Sequence, residues 1–123
     1  MLGEAPIVAF LPTTDLGRAR SFYEGVLGLA VEEVDGFACV LRGGGTTLRV
    51  TLVESLTPQP FTVLGWLVTD IAGTIDGLTA KGVRFRRYEG MGQDERGVWT
   101  APGGAQIAWF SDPDDNVLSL TQL

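Results

Sequence analysis

The chain has 123 residues, 45% of them apolar, with nine Lys and Arg against fifteen Asp and Glu, a net charge of −6 and a pI of about 4.4. That is enough apolar material for one packed domain; the acidity and the lack of a basic run argue against nucleic acid and anionic membrane surfaces as partners. There is no histidine, which removes the usual neutral-pH base, the commonest metal ligand, and both Ser-His-Asp and Cys-His nucleophilic sites.

The first strand-like run begins at Ile7 and leads into Thr14-Asp15-Leu16. Asp15 is a good helix N-cap, because its carboxylate accepts orphan N–H groups of the first turn. Leu16, Ala19, Phe22, Tyr23, Val26 and Leu27 follow at helical spacing, and Gly28 is a natural stop. Strands are expected at 30–34 and 37–42 around Asp35-Gly36, a hairpin signal, and at 46–53 after the turn Gly43-Gly44-Gly45. These glycines precede a strand and lack the following Gly-Lys-Ser/Thr, so they are not a phosphate-binding loop. Pro58-Gln59-Pro60 marks a seam.

Beyond the seam the plan repeats. A strand at 61–68 leads to Thr69-Asp70-Ile71, the same cap 55 residues on. Ile71, Ile75 and Leu78 form the helical stripe and Gly82 the stop. Strands are expected at 83–88, 97–101, 105–110 and 116–122, with a loop at 90–96 and a turn at Pro102-Gly103-Gly104. The chain therefore reads as an internal duplication: a single domain over 1–123, with a first βαβββ module over 5–55 and a second over 61–123. The lone cysteine, Cys39, lies in an alternating run and is expected to be a small buried hydrophobe. It excludes an internal disulfide framework. With no bilayer-spanning run and no signal-peptide pattern, a cytoplasmic protein is expected.

Strand side chains alternate between faces. One parity carries Ile7, Ala9, Leu11, Leu48, Val50, Leu52, Leu64, Trp66, Val68, Leu118 and Leu120, all apolar, and should pack against the helices. The other carries Val8, Phe10, Thr47, Arg49, Thr51, Val63, Leu67, Ile107, Trp109, Ser119 and Thr121. Apolar and aromatic side chains with hydroxyls and one guanidinium suit a ligand surface, where apolar walls bind and polar groups orient. Arg49 is the candidate clamp for an anionic group; the plainer reading is an ion pair with Glu54 or another acid, or a half-exposed arginine at a strand end. Phe10 and Trp109, joined by Trp99, are candidate stacking groups, against simple core packing. Ser119 and Thr121 are candidate hydrogen-bond donors, Tyr88 is a possible acid, and the charge cluster at 94–96 reads as a solvated loop or a lid, with chelation by Asp94 and Glu95 as the lesser alternative.

Three segments carry a family resemblance: TTDLGRARSFYEGVLGL, VTDIAGTIDGLTAKGVRF and WFSDPDDNVLSL. Together they resemble the vicinal oxygen chelate superfamily, which includes glyoxalase I, extradiol dioxygenases, fosfomycin-resistance enzymes and bleomycin-binding proteins. The turn departs from the family's Asp-Pro-Asp-Gly-Asn by having Asp115 where glycine is usual. The resemblance covers nearly the whole chain. It implies an α+β fold in which two βαβββ modules with curled mixed sheets enclose a cavity, often completed by a second subunit. The positions that hold metal ligands in metal-dependent relatives fall at about Val8 and Val63, near Arg49 or Thr51, and at Ser119. Valine has no donor atom, hydroxyls are weak ligands, and arginine repels a cation by roughly 4 kcal/mol at 4 Å and an effective dielectric of 20.

These readings favour a metal-free protein that needs no cofactor. It would sequester a small, partly aromatic or anionic ligand in a pocket of Phe10, Arg49, Thr51, Leu67, Trp99, Ile107, Trp109, Ser119 and Thr121. No catalytic residue is assigned. The alternatives are an enzyme of the same superfamily (a lyase, isomerase or dioxygenase with a displaced metal site or metal-free acid–base chemistry) and an interaction module whose pocket its own side chains fill. All three imply a homodimer, because sheet edges need covering.

Overall fold

Hydrophobic alternation and two aspartate caps organise the backbone, seen in a computed structural model that describes residues 1–123. The chain divides into a first unit, Met1–Thr57, and a second, Pro58–Leu123. After a short 3-10 turn at Leu2–Glu4, the first unit runs β1 (Val8–Thr13), α1 (Leu16–Arg20), β2 (Ala30–Val34), β3 (Ala38–Gly43) and β4 (Thr46–Leu52). The second runs β5 (Thr62–Leu67), α2 (Ile71–Ala80), β6 (Trp99–Thr100), β7 (Gln106–Ser111) and β8 (Val117–Gln122).

Each unit holds one four-stranded mixed sheet, and the two share a topology. The strand orders are β1-β4-β3-β2 and β5-β8-β7-β6. In each, the first strand lies parallel to the fourth and the remaining pairs are antiparallel. The fold is α+β, with curled sheets that do not close.

The repeated caps are built alike. The carboxylate of Asp15 accepts from Arg18 N, and that of Asp70 from Gly73 N, each at 3.0 Å. Both therefore satisfy an orphan N–H of the first helical turn. At Gly73 an added Cβ would collide with Asp70 Oδ2, so a side chain there would require the capping carboxylate to shift. In the second unit Gln122 Oε1 also accepts from Ile71 N at 2.7 Å, tying β8 to the start of α2.

Ala9, Leu11, Cys39, Leu41, Leu48 and Val50 form the covered face of the first sheet, where Leu11, Cys39, Leu41, Leu48 and Val50 are fully buried with Ala19 and Tyr23. In the second unit Ala108, Phe110, Leu118 and Leu120 are buried with Ile71 and Ile75. Phe110 is flanked by Phe85 and Trp66, with ring centroids at 5.3 and 6.2 Å. Two residues expected on this face, Ile7 and Leu52, are exposed. Ile7 precedes β1 and Leu52 ends β4, so neither has a helix over it.

Three expected elements differ. The first helix loses its α geometry after Arg20 and continues over Ser21–Val26 as a wider turn. There Leu27 N donates to Phe22 O, five residues back, while Tyr23 O accepts from Leu29 N. The strand expected at 97–101 shrinks to Trp99–Thr100. The one expected at 83–88 is not a strand; a single bridge joins Phe85 to Phe110. Its backbone groups have another partner. Gln93 Oε1 accepts from Tyr88 N at 2.7 Å, and Gln93 Nε2 donates to Arg86 O and Gly97 O at 3.0 and 2.8 Å.

The acidic turn before β8 is organised by Asp112, which is buried. Its Oδ1 accepts from Asp114 N and Asn116 N, both at 2.9 Å, and its Oδ2 from Asn116 Nδ2 at 2.8 Å. Asp115 adopts φ 64°, the only non-glycine residue with positive φ. A β-branched residue is strained there, whereas Asp tolerates it. Asp115→Val is therefore expected to lower stability by about 1–2 kcal/mol. Asp115→Gly should stay within about 1 kcal/mol of the parent, because relieved strain is offset by greater freedom of the unfolded chain. Urea denaturation of both variants checks this.

Candidate functional site

The face of each sheet opposite the buried one is lined by the candidate residues. In the second unit, register places Gly65, Ser119 and Trp109 in one row across β5, β8 and β7. The next row holds Leu67, Thr121, Ile107 and Trp99 across β5, β8, β7 and β6. Ser119 is buried beneath its neighbours, with its Oγ packed over Gly65 so closely that an added Cβ would stand 2.5 Å from it. Leu67 is 70% exposed, and Val63 on the same strand is also exposed.

An aromatic cluster dominates this face. The Trp99 ring lies 6.2 Å from that of Trp109, tilted by 34°, and Tyr88 meets Trp109 edge-on at 5.5 Å and 84°. The sequence leaves the placement of Tyr88 open; the structure brings it onto Trp109. Two features hold it there: Arg86 N donates to Trp109 O at 2.7 Å, and Gln93 binds Tyr88 N. Gln93 was not singled out by sequence reasoning. Its role depends on a loop closing on itself, and no spacing motif announces that.

The loop at 90–96, expected to be solvated or a lid, is stapled. Asp94 Oδ1 accepts from Arg96 N and Val98 N, both at 2.9 Å. Arg96 forks onto Asp76 of α2, with Nε–Oδ1 and Nη2–Oδ2 both 3.0 Å. The hydrogen bond and charge of Arg96 hold the Asp76 carboxyl below its ordinary range.

In the first unit Phe10, Arg49 and Val40 form one row across β1, β4 and β3, and Pro12, Thr51 and Ala38 the next. Phe10 is 64% exposed and Arg49 half-buried. The Arg49 side chain makes no hydrogen bond or ion pair, so the ion pair with Glu54 is not formed. Hydrogen bonds from Phe37 N and Ala38 N hold the Asp35 carboxyl below its ordinary range, and the charge of Arg49 adds a lesser pull. On the covered face, burial pushes the Cys39 thiol up, away from the reactive thiolate.

The positions that would carry metal ligands do not suit a cation. Val8 pairs with Thr47, Phe10 with Arg49, and Ser119 stands between Gly65 and Trp109. Hydrocarbon, hydroxyl and guanidinium groups are a poor donor set for a divalent ion. Nowhere in the chain do three or more His, Cys, Asp or Glu side chains gather as a metal cluster. No helix is long and apolar enough to cross a membrane.

Paired mixed sheets of identical strand order, each with one helix-covered face and one face rich in ligand-type side chains, define a glyoxalase-like fold. Comparison with known proteins bears on this directly. The sequence profile of the Glyoxalase/Bleomycin resistance protein/Dioxygenase superfamily matches residues 6–120, and the chain belongs to that superfamily. Among solved structures, a member of this superfamily from Sphaerobacter thermophilus superposes with a TM-score of 0.76 at 22% identity, covering 100% of both chains. A putative glyoxalase family protein from Bacillus anthracis gives 0.76 at 13% identity, covering 97% of this chain and 94% of its own. Lactoylglutathione lyase from Agrobacterium tumefaciens gives 0.70 at 18% identity, covering 97% and 93%. At such identities the likeness establishes the fold alone. No curated protein matches the chain in sequence.

The Asp76–Arg96 fork carries a pH prediction. Because the carboxyl is depressed in the folded chain, its contribution is fully present above the unfolded value of about 3.9. It fades as pH falls through the lower, folded value. Amide hydrogen exchange in residues 90–98 should therefore quicken below about pH 4, beyond the intrinsic pH trend, and Asp76→Asn should show the quickened exchange already at neutral pH.

Proposed function

We propose that the protein is a metal-free binding protein that sequesters a small, partly aromatic or anionic molecule on the open faces of its sheets. The observation that carries this reading is the Tyr88–Trp109–Trp99 cluster, mounted on a sheet face beside exposed Leu67 and Val63. Aromatic rings held at fixed angles by backbone anchors are a ready stacking surface, and little ordering entropy remains to be lost on binding. Ser119 and Thr121 offer hydroxyls on the same face.

In the first unit, the half-buried Arg49 beside Phe10 supports recognition of a carboxylate or similar anion. A guanidinium on an apolar strand face with no partner of its own retains its full fork of donors. The donor set at the family's ligand positions supports binding without a metal. The outer strands β1, β2, β5 and β6 are the edges that a cytoplasmic homodimer would protect.

Intrinsic tryptophan fluorescence tests the reading, with 2-naphthoate as an aromatic anion and 2-naphthalenemethanol as its neutral counterpart. Saturable quenching by naphthoate is expected. Trp109→Ala should weaken it on the order of tenfold, the loss of one well-packed aromatic anchor. Arg49→Gln should weaken naphthoate but leave the alcohol unchanged. The absence of saturable quenching by either probe or by a panel of aromatic acids, or a stoichiometric divalent metal in the purified protein, would contradict the proposal. Sedimentation velocity at micromolar concentration should show a dimer.

A further inference from the structure

A second feature lies on the helix side of the second unit, remote in character from the open face. The C-terminal half of α2 and the segment that follows it form a groove of about 450 Å³. Its apolar lining is Ile75, Val83 and Phe85, of which Ile75 and Val83 are buried. Three guanidiniums, those of Arg84, Arg87 and Arg96, line the same groove with the carboxylates of Asp76 and Glu95.

The charges here are unevenly committed. Arg96 spends Nε and one Nη on Asp76, which neutralises that carboxylate and fixes the guanidinium in place. Arg87 donates one Nη2 bond to the backbone carbonyl of Glu95. Arg84 is exposed and makes no hydrogen bond or ion pair. A guanidinium has five N–H donors, so all three retain donors and Arg84 retains its full set. In a chain of net charge −6, three of the nine basic residues line this one groove. The carboxylates of Asp76 and Glu95 offset two of the three guanidinium charges, which leaves the groove with one positive charge in excess and Arg84 as the uncommitted cation.

We propose that this groove is an anion site for a phosphomonoester, with the phosphate held by Arg84 and Arg87 beside the fixed Arg96. The organic group would rest on Ile75, Val83 and Phe85. A tetrahedral oxyanion presents several acceptors to such forks, and bidentate arginine–phosphate pairing is strong and directional. The volume exceeds what phosphate alone needs, and the apolar floor suits a carbon skeleton.

The test is a two-dimensional amide and arginine-Nε NMR titration with inorganic phosphate and with phenyl phosphate. Each is run against sodium chloride at matched ionic strength. Saturable shifts confined to residues 75–96 are expected, with phenyl phosphate binding several-fold tighter than phosphate because its ring covers the apolar floor. Arg84→Gln and Arg87→Gln should each weaken binding roughly tenfold, the scale of one charge-assisted hydrogen bond, and raising the salt concentration should weaken it further. Both arginines are exposed, and circular dichroism of the variants checks that they remain folded. Shifts no larger than those caused by chloride, or unaltered binding in both arginine variants, would overturn the proposal.

Discussion

A four-stranded sheet has two faces, and each unit of this chain brings one helix to cover them. That imbalance shapes everything else. The helix seals one face, where Leu11, Leu41, Val50 and Tyr23 in the first unit and Phe110, Leu118 and Ile75 in the second lose nearly all contact with water. The opposite faces retain exposed Val8 and Phe10 in the first unit and Val63 and Leu67 in the second. Exposed apolar side chains occur elsewhere too, Ile7, Phe37 and Phe61 among them; those on the open faces share a sheet surface with Arg49 in the first unit and with Trp109 and Thr121 in the second.

The second consequence is mechanical. A sheet face presents its side chains at fixed angles only if they are anchored, and here hydrogen bonding to the backbone does the anchoring. Gln93 takes the place of a neighbouring strand: its amide binds the N–H of Tyr88 and the carbonyls of Arg86 and Gly97. This leaves the segment after α2 ordered without being a strand, and it sets Tyr88 against Trp109. The same segment carries Arg84 and Arg87 toward the α2 groove. One side-chain amide thus supports both the aromatic cluster and the cationic groove.

Much of this was visible in the residues. Period-two alternation assigns Ile107, Trp109, Ser119 and Thr121 to one face and Leu118 and Leu120 to the other, because a strand has no freedom to mix them. Asp15 and Asp70 marked the helix starts because a carboxylate there has a defined partner, the N–H three residues on. What stayed hidden depends on contacts distant in sequence. Residues 83–88 alternate like a strand, yet Gln93 claims their backbone. Nothing local reveals that Arg96 reaches Asp76, 20 positions away, or that Arg49 lacks an acid to pair with. The widening of the first helix after Arg20 is equally unreadable, since the apolar stripe from Leu16 to Leu27 fits a regular α-helix.

The central claim is that each sheet has one face sealed by its helix and one open face, the open face being the one proposed to receive a ligand. Hydroxyl-radical footprinting of the intact chain tests it most directly, by comparing oxidation rates with and without saturating 2-naphthoate. The account predicts that Phe110 and Tyr23 react slowly throughout, while Trp99 and Trp109 react readily and become protected by the ligand. Trp109 as unreactive as Phe110 in the free protein, or unprotected at saturation, would contradict it.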